Sequence, residues 1–105
     1  MADNSNNYSE AALLLLKSNL NYHGDIPAEV EAQLRSLLEY AFQRLKRSAN
    51  IQLTPGQIED DMLQAMFASW VYLKGRDGAE KSPMLKEAIR DYQVSRALSE
   101  KGASV

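Results

Sequence analysis

Between Val30 and Leu45, apolar residues fall at 30, 34, 37, 38, 41 and 45, in steps of four, three, one, three and four. A helix turns about 100° per residue, so this spacing lines up one apolar side and leaves the opposite side polar. The helix it predicts opens at Asp25 as N-cap, carries Pro27 in its first turn, where a missing N–H costs nothing, and runs to about Ser48. Glu29 and Glu31 near its start and Arg44, Lys46 and Arg47 near its end both complement the helix dipole.

A second stripe follows at Ile58, Met62, Ala65, Met66, Ser69 and Leu73. Thr54-Pro55-Gly56-Gln57 ahead of it has the form of a Thr-x-x-Gln capping box with proline at the first helical position, and Gly75 is a natural stop. The short connection from Ala49 to Leu53 predicts that the two helices lie antiparallel, stripe against stripe. Upstream, Ser9 is a candidate N-cap for a helix reaching about Leu20, after which Asn21, His23 and Gly24 read as a turn. Its Leu13, Leu14, Leu15 and Leu16 cover about 300° of the helical wheel, so one buried face cannot absorb them all. Downstream, Ser82 and Pro83 restart a helix to about Glu100, whose ordered side is Leu85, Ala88, Ile89, Tyr92 and Arg96. That stripe is thin for its length.

No stretch shows the sustained period-two alternation of a strand. The pattern predicts an all-α protein, one four-helix domain over residues 1–105, with a long antiparallel central helix pair and mobile termini at about 1–7 and 101–105.

Composition supports folding: 45% of residues are hydrophobic and 25% charged, near the values of ordinary globular proteins. The chain has no cysteine, which excludes disulfides and thiolate metal sites and suits a reducing interior such as cytoplasm. A net charge of -2 gives no general nucleic-acid footprint. The longest apolar run, Ala11 to Leu16, is far below the roughly 20 residues of a membrane span and lacks the basic flank of a signal peptide, so a soluble protein without a membrane is expected.

Candidate chemistry is sparse. His23 is the one histidine, too few for a paired-histidine metal site, and beside Gly24 it reads as a solvated turn residue. Glu59, Asp60 and Asp61 form a tight acidic cluster, yet consecutive helical positions diverge by about 100° and the ligand spacing of a calcium loop is missing, so they read as exposed charges that offset the dipole. Phosphate-binding glycine loops and a glycine-framed nucleophile are not found. Catalytic, metal and cofactor residues are therefore expected to be none, and the protein is not read as an enzyme. Arg44, Lys46, Arg47, Lys74 and Arg76 read as a solvated basic edge.

The C-terminal half carries a family-like pattern. Ala68, Ser69, Trp70, Val71, Tyr72, Leu73, Lys74, Gly75 and Arg76, then a polar loop, then Ser82, Pro83, Met84 and Leu85, resemble the small head-tail connector proteins of tailed bacteriophages. Arg96, Ser99, Glu100 and Lys101 are similar to that family's closing segment, and Arg90 and Asp91 stand where it usually has paired asparagines. The resemblance covers about half the chain. It implies a virion component made in the host bacterial cytoplasm, which joins a ring of its own copies beneath the portal protein and connects it to tail-side neck proteins, with DNA at most passing through. The expected subunit or partner interface is Leu13, Leu14, Leu15, Leu16, Trp70, Tyr72, Arg76, Tyr92 and Arg96. The alternative is a DNA-binding packaging or regulatory module, against which the acidic start of the third helix argues.

Overall fold

The computed structural model describes residues 7–73 and 83–103, the latter without the side chains at 96 and 98–103. Among the described residues there are four α-helices and no strand: α1 (Glu10–Asn19), α2 (Ala28–Ala49), α3 (Ile58–Leu73) and α4 (Pro83–Ala103).

Each boundary has a local cause. The Ser9 hydroxyl accepts from the backbone N–H of Ala12 at 3.0 Å and starts α1. The helix ends in a Schellman motif: Asn21 takes the left-handed conformation at φ 64°, its N–H reaches Ser18 O, and the N–H of Tyr22 reaches Lys17 O at 2.8 Å. Asparagine tolerates that conformation better than most residues. Asn50 takes the same left-handed conformation after α2, at φ 57°.

Two expected starts are displaced. The cap of α2 is Pro27 and not Asp25, and no side chain caps it. Proline disfavours helical geometry in the residue before it, so Ile26 cannot join and the helix begins beyond the ring. At α3, Thr54 to Gln57 form a turn, closed by Gln57 N–H to Thr54 O at 3.1 Å, and the helix begins at Ile58 instead of Pro55. Gly56 sits at φ 98°, a conformation that no helix can include.

One continuous set of buried side chains draws on all four helices, with Leu13, Leu16, Leu34, Leu38, Leu45, Phe67 and Leu85 at its centre and Ile51 and Leu53 added from the α2–α3 connection. Burying a leucine or phenylalanine contributes about 1.5–3 kcal/mol each, so this set is the main stabilising term. Helix α1 runs opposite to α2, since Glu10 pairs with Arg35 and Lys17 with Glu31. It runs in the same sense as α3, since Ser9 bonds Asp61 and Tyr22 bonds Tyr72. Asn7, within the terminus expected to be mobile, donates to Glu39 at 2.6 Å, and its carbonyl accepts from Gln64.

The stripe expected on α3 is only in part its core face. Ala65 is buried and Met66 and Ser69 are half-buried, but Ile58, Met62 and Leu73 are exposed, and the helix also buries Asp60, Asp61, Leu63, Gln64, Phe67 and Ala68. The helix is apolar on two sides, so spacing alone cannot select between them, and the side bearing Phe67 removes more area from water.

Candidate functional site

The cap at Ser9 fixes the rotation of α1 and so sorts its leucines. Leu13 and Leu16 are buried in the chain's own core, Leu15 is half-buried against it, and Leu14 is 65% exposed. Of the four leucines expected at a partner interface, Leu14 is the one presented outward, because positions 13 and 16 share the side facing α2 and α3.

Trp70 is half-buried and meets Phe67 edge to face, with ring centroids 5.6 Å apart and planes at 71°, a favoured aromatic geometry. Tyr72 is half-buried, and its hydroxyl shares a hydrogen bond of 2.9 Å with that of Tyr22. That bond, ahead of partial burial and the charge on Tyr72, holds the Tyr22 phenol above its ordinary range. Tyr92 is half-buried on α4 and donates to Asp60 Oδ2 at 3.0 Å. Arg96 lies within α4 and its side chain is outside the described set; Arg76 falls in 74–82, outside the described residues.

The acidic cluster has a role that spacing did not reveal. Asp60 and Asp61 are buried, whereas Glu59 is exposed. Asp60 Oδ2 accepts from Thr54 N–H at 2.6 Å as well as from Tyr92. Asp61 accepts from Gly56 N–H at 3.1 Å through Oδ1 and from the Ser9 hydroxyl at 2.8 Å through Oδ2. The pair therefore reaches back from the first turn of α3, folds the 54–57 turn onto the helix, and ties in the start of α1 and the middle of α4. The expectation that all three carboxylates are exposed is corrected: the backward turn at Gly56 brings backbone donors to Asp60 and Asp61, and those bonds make burial of the charges tolerable.

A second polar cluster joins α1 to α2. The Arg35 guanidinium donates to both oxygens of Glu10 at 3.0 and 3.4 Å and to Glu31 at 2.9 and 3.2 Å, and lies 6.0 Å from the centre of the Tyr8 ring. Glu10, Tyr8 and Glu31, in that order, strengthen its hold on its proton. The hydrogen bond from Arg35, then the charge of Lys17, holds the Glu31 carboxyl below its ordinary value of 4.5. The four-residue spacing of Glu31 and Arg35 is the sequence signal for this cluster.

Most of the large exposed apolar side chains among the described residues lie on α3 and α4, with Leu14 on α1 and Tyr40 on α2. Ile58, Met62 and Leu73 are 68%, 51% and 61% exposed on α3, and Met84 and Val94 are exposed on α4. Between the helices lies an open groove of about 690 Å³, floored by Met62, Leu63, Met66 and Ala88 and bordered by Gln57, Glu59, Asp91, Tyr92 and Ser95. Beyond Tyr92, Gln93 donates to the Ala49 carbonyl at 2.8 Å and so anchors α4 to the end of α2.

His23 is exposed in the turn after α1, and among the described residues no three or more histidine, aspartate or glutamate side chains converge as metal ligands would. Likewise, no described helix is long and apolar enough to cross a membrane. Comparison with family models, with curated proteins and with solved structures returns no match.

Proposed function

We propose that this chain is a structural assembly protein of a tailed-phage particle, one subunit of a ring that joins the portal protein to tail-side neck proteins. The observation that carries the reading is the apolar surface left outside a completed core: Leu14 on α1, Ile58, Met62 and Leu73 on α3, and Met84 and Val94 on α4. Ile58, Met62 and Leu73, at steps of four and eleven, share one side of α3, and a contiguous apolar side on a folded subunit suits contact with other chains. Surfaces on different helices suit a ring, in which one side of each subunit meets a different side of the next. The likeness of residues 68–76, 82–85 and 96–101 to head-tail connectors supplies the particle and the neighbours.

In this reading α2 and α3 are the rigid antiparallel pair of the subunit, in keeping with the opposite run of α1 and α2 and the shared run of α1 and α3. The ends expected to be mobile, about 1–7 and 101–105, lie outside the described residues except for Asn7 and the last residues of α4. The subunit works through its contacts and without catalysis, in the virion, around a channel that DNA traverses.

Light scattering of the chain alone and mixed with a candidate portal protein tests this. The expected result is a complex of fixed, ring-like stoichiometry in the mixture; a chain that stays monomeric beside the portals of tailed phages contradicts it. The DNA-binding alternative regains some ground from the burial of Asp60 and Asp61, which removes two charges from the surface of α3. That surface nevertheless presents Ile58, Glu59 and Met62, and a recognition helix needs cationic or amide side chains there. DNA affinity is therefore expected to be weak and unselective, and submicromolar, sequence-selective binding at physiological salt would favour the alternative.

A further inference from the structure

The groove between α3 and α4 combines two features that jointly specify an occupant. Its floor is Met62, Leu63, Met66 and Ala88, and Met62 is half in water although this domain has completed its core elsewhere. Among the described residues its lining includes the carboxylates of Glu59, Asp60 and Asp91 and no lysine, arginine or histidine. Asp60 is engaged by Thr54 and Tyr92, which leaves Glu59 and Asp91, both exposed, as the charges that face an incoming group from opposite helices.

We propose that this groove receives a short cationic amphipathic helix of another protein, its apolar side on the methionine floor and its lysines or arginines against Glu59 and Asp91. An amphipathic helix laid into an apolar groove is a recurring mode of recognition, and methionine is the side chain that best adapts to such a guest. Along α3 the groove extends from Glu59 to Met66. At 1.5 Å per residue that is about 10 Å, room for about two turns of a partner helix.

The chain's own segments do not fit. The cations Arg44, Lys46 and Arg47 ride on α2, whose apolar residues Leu38, Ala41, Phe42 and Leu45 are buried in the core, and Lys86 and Arg90 ride on α4, whose Leu85, Ala88, Ile89 and Tyr92 pack on that same core. Residues 1–6 contain no lysine or arginine, and residues 74–82 contain no large apolar side chain. The partner is accordingly a different protein and not a second copy. The proposal rests on the lining of the groove and not on the phage assignment.

The test uses the full chain and two synthetic helical peptides, one built of leucine and lysine and the other identical with glutamate in place of lysine. Methyl NMR and calorimetry read the binding. The lysine peptide is expected to bind more tightly than about 1 mM, to shift the methyl signals of Met62, Met66 and Ala88, and to bind at least about tenfold more tightly than the glutamate peptide. Glu59→Lys with Asp91→Lys, changes at exposed positions that keep the circular dichroism spectrum, should weaken the lysine peptide about tenfold and bring the glutamate peptide level with it or ahead. The proposal is overturned if the lysine peptide fails to bind, if the two peptides bind equally, if the methyl shifts fall at Leu14 instead of the groove, or if the double charge reversal leaves the preference unchanged.

Discussion

Asp61 is almost wholly buried, and its two oxygens hold the Ser9 hydroxyl and the Gly56 N–H. Removing such a carboxylate strands both donors, so Asp61→Ala should cost about 2–4 kcal/mol in urea unfolding, while Glu59→Ala, at an exposed neighbour, stays within about 0.5 kcal/mol. Equal effects would show that burial of the pair has no energetic weight. None of this was readable beforehand: Glu59, Asp60 and Asp61 look alike as letters, and what separates them is the turn at Gly56 that brings donors to two of them. Gln64 makes the same point. Glutamine is by type mostly a surface residue, yet this one is fully buried, and its amide group donates to the carbonyls of Leu38 and Asn7 at 2.9 Å each. A polar residue between apolar neighbours carries no mark in the sequence that says where its partners are.

The legibility of each helix depends on how many sides it must bury. Helix α2 has one apolar side, and Leu34, Leu38, Ala41 and Leu45 are buried as their spacing predicts, with Phe42 beside them. In α3 two apolar sides compete, and the one bearing Leu63 and Phe67 is inward, leaving Met62 out. A charge separates these cases: Leu38→Asp should unfold the chain, at a cost of about 4 kcal/mol or more, whereas Met62→Asp should keep full helicity and a cooperative melt by circular dichroism. Loss of the fold in Met62→Asp would restore the expected stripe to the core. The polar contacts between α1 and α2, beside their shared apolar core, are electrostatic and so depend on pH. Glu31 has a folded pKa below its ordinary 4.5, so its pairing with Arg35 and Lys17 stabilises the fold above that pH and is lost as pH falls through the folded value. The melting temperature of the wild type should thus fall more steeply than that of Glu31→Gln on acidification below about pH 5, with the two curves parallel above it. Both side chains are partly in water, which keeps the difference small.

At the scale of the whole molecule, the core closes within one chain and yet leaves large apolar side chains exposed on each of the four helices, most of them on α3 and α4. The leucine run of α1 shows this most simply: too apolar to be covered on one side, it gives Leu13 and Leu16 to the core and Leu14 to the surface. The sequence made the surplus visible, and the rotation set by Ser9 decides which leucine carries it. If exposed apolar surface is how this protein works, removing it at Leu14 should affect assembly and spare folding. The direct measurement is the mass by light scattering of Leu14→Ser beside the wild type, each mixed with the same candidate portal protein, with circular dichroism melts of both chains alone. The account predicts melts within a few degrees of each other and a complex formed by the wild type that Leu14→Ser fails to form. A Leu14→Ser chain that assembles as the wild type does, or one that unfolds, would contradict it.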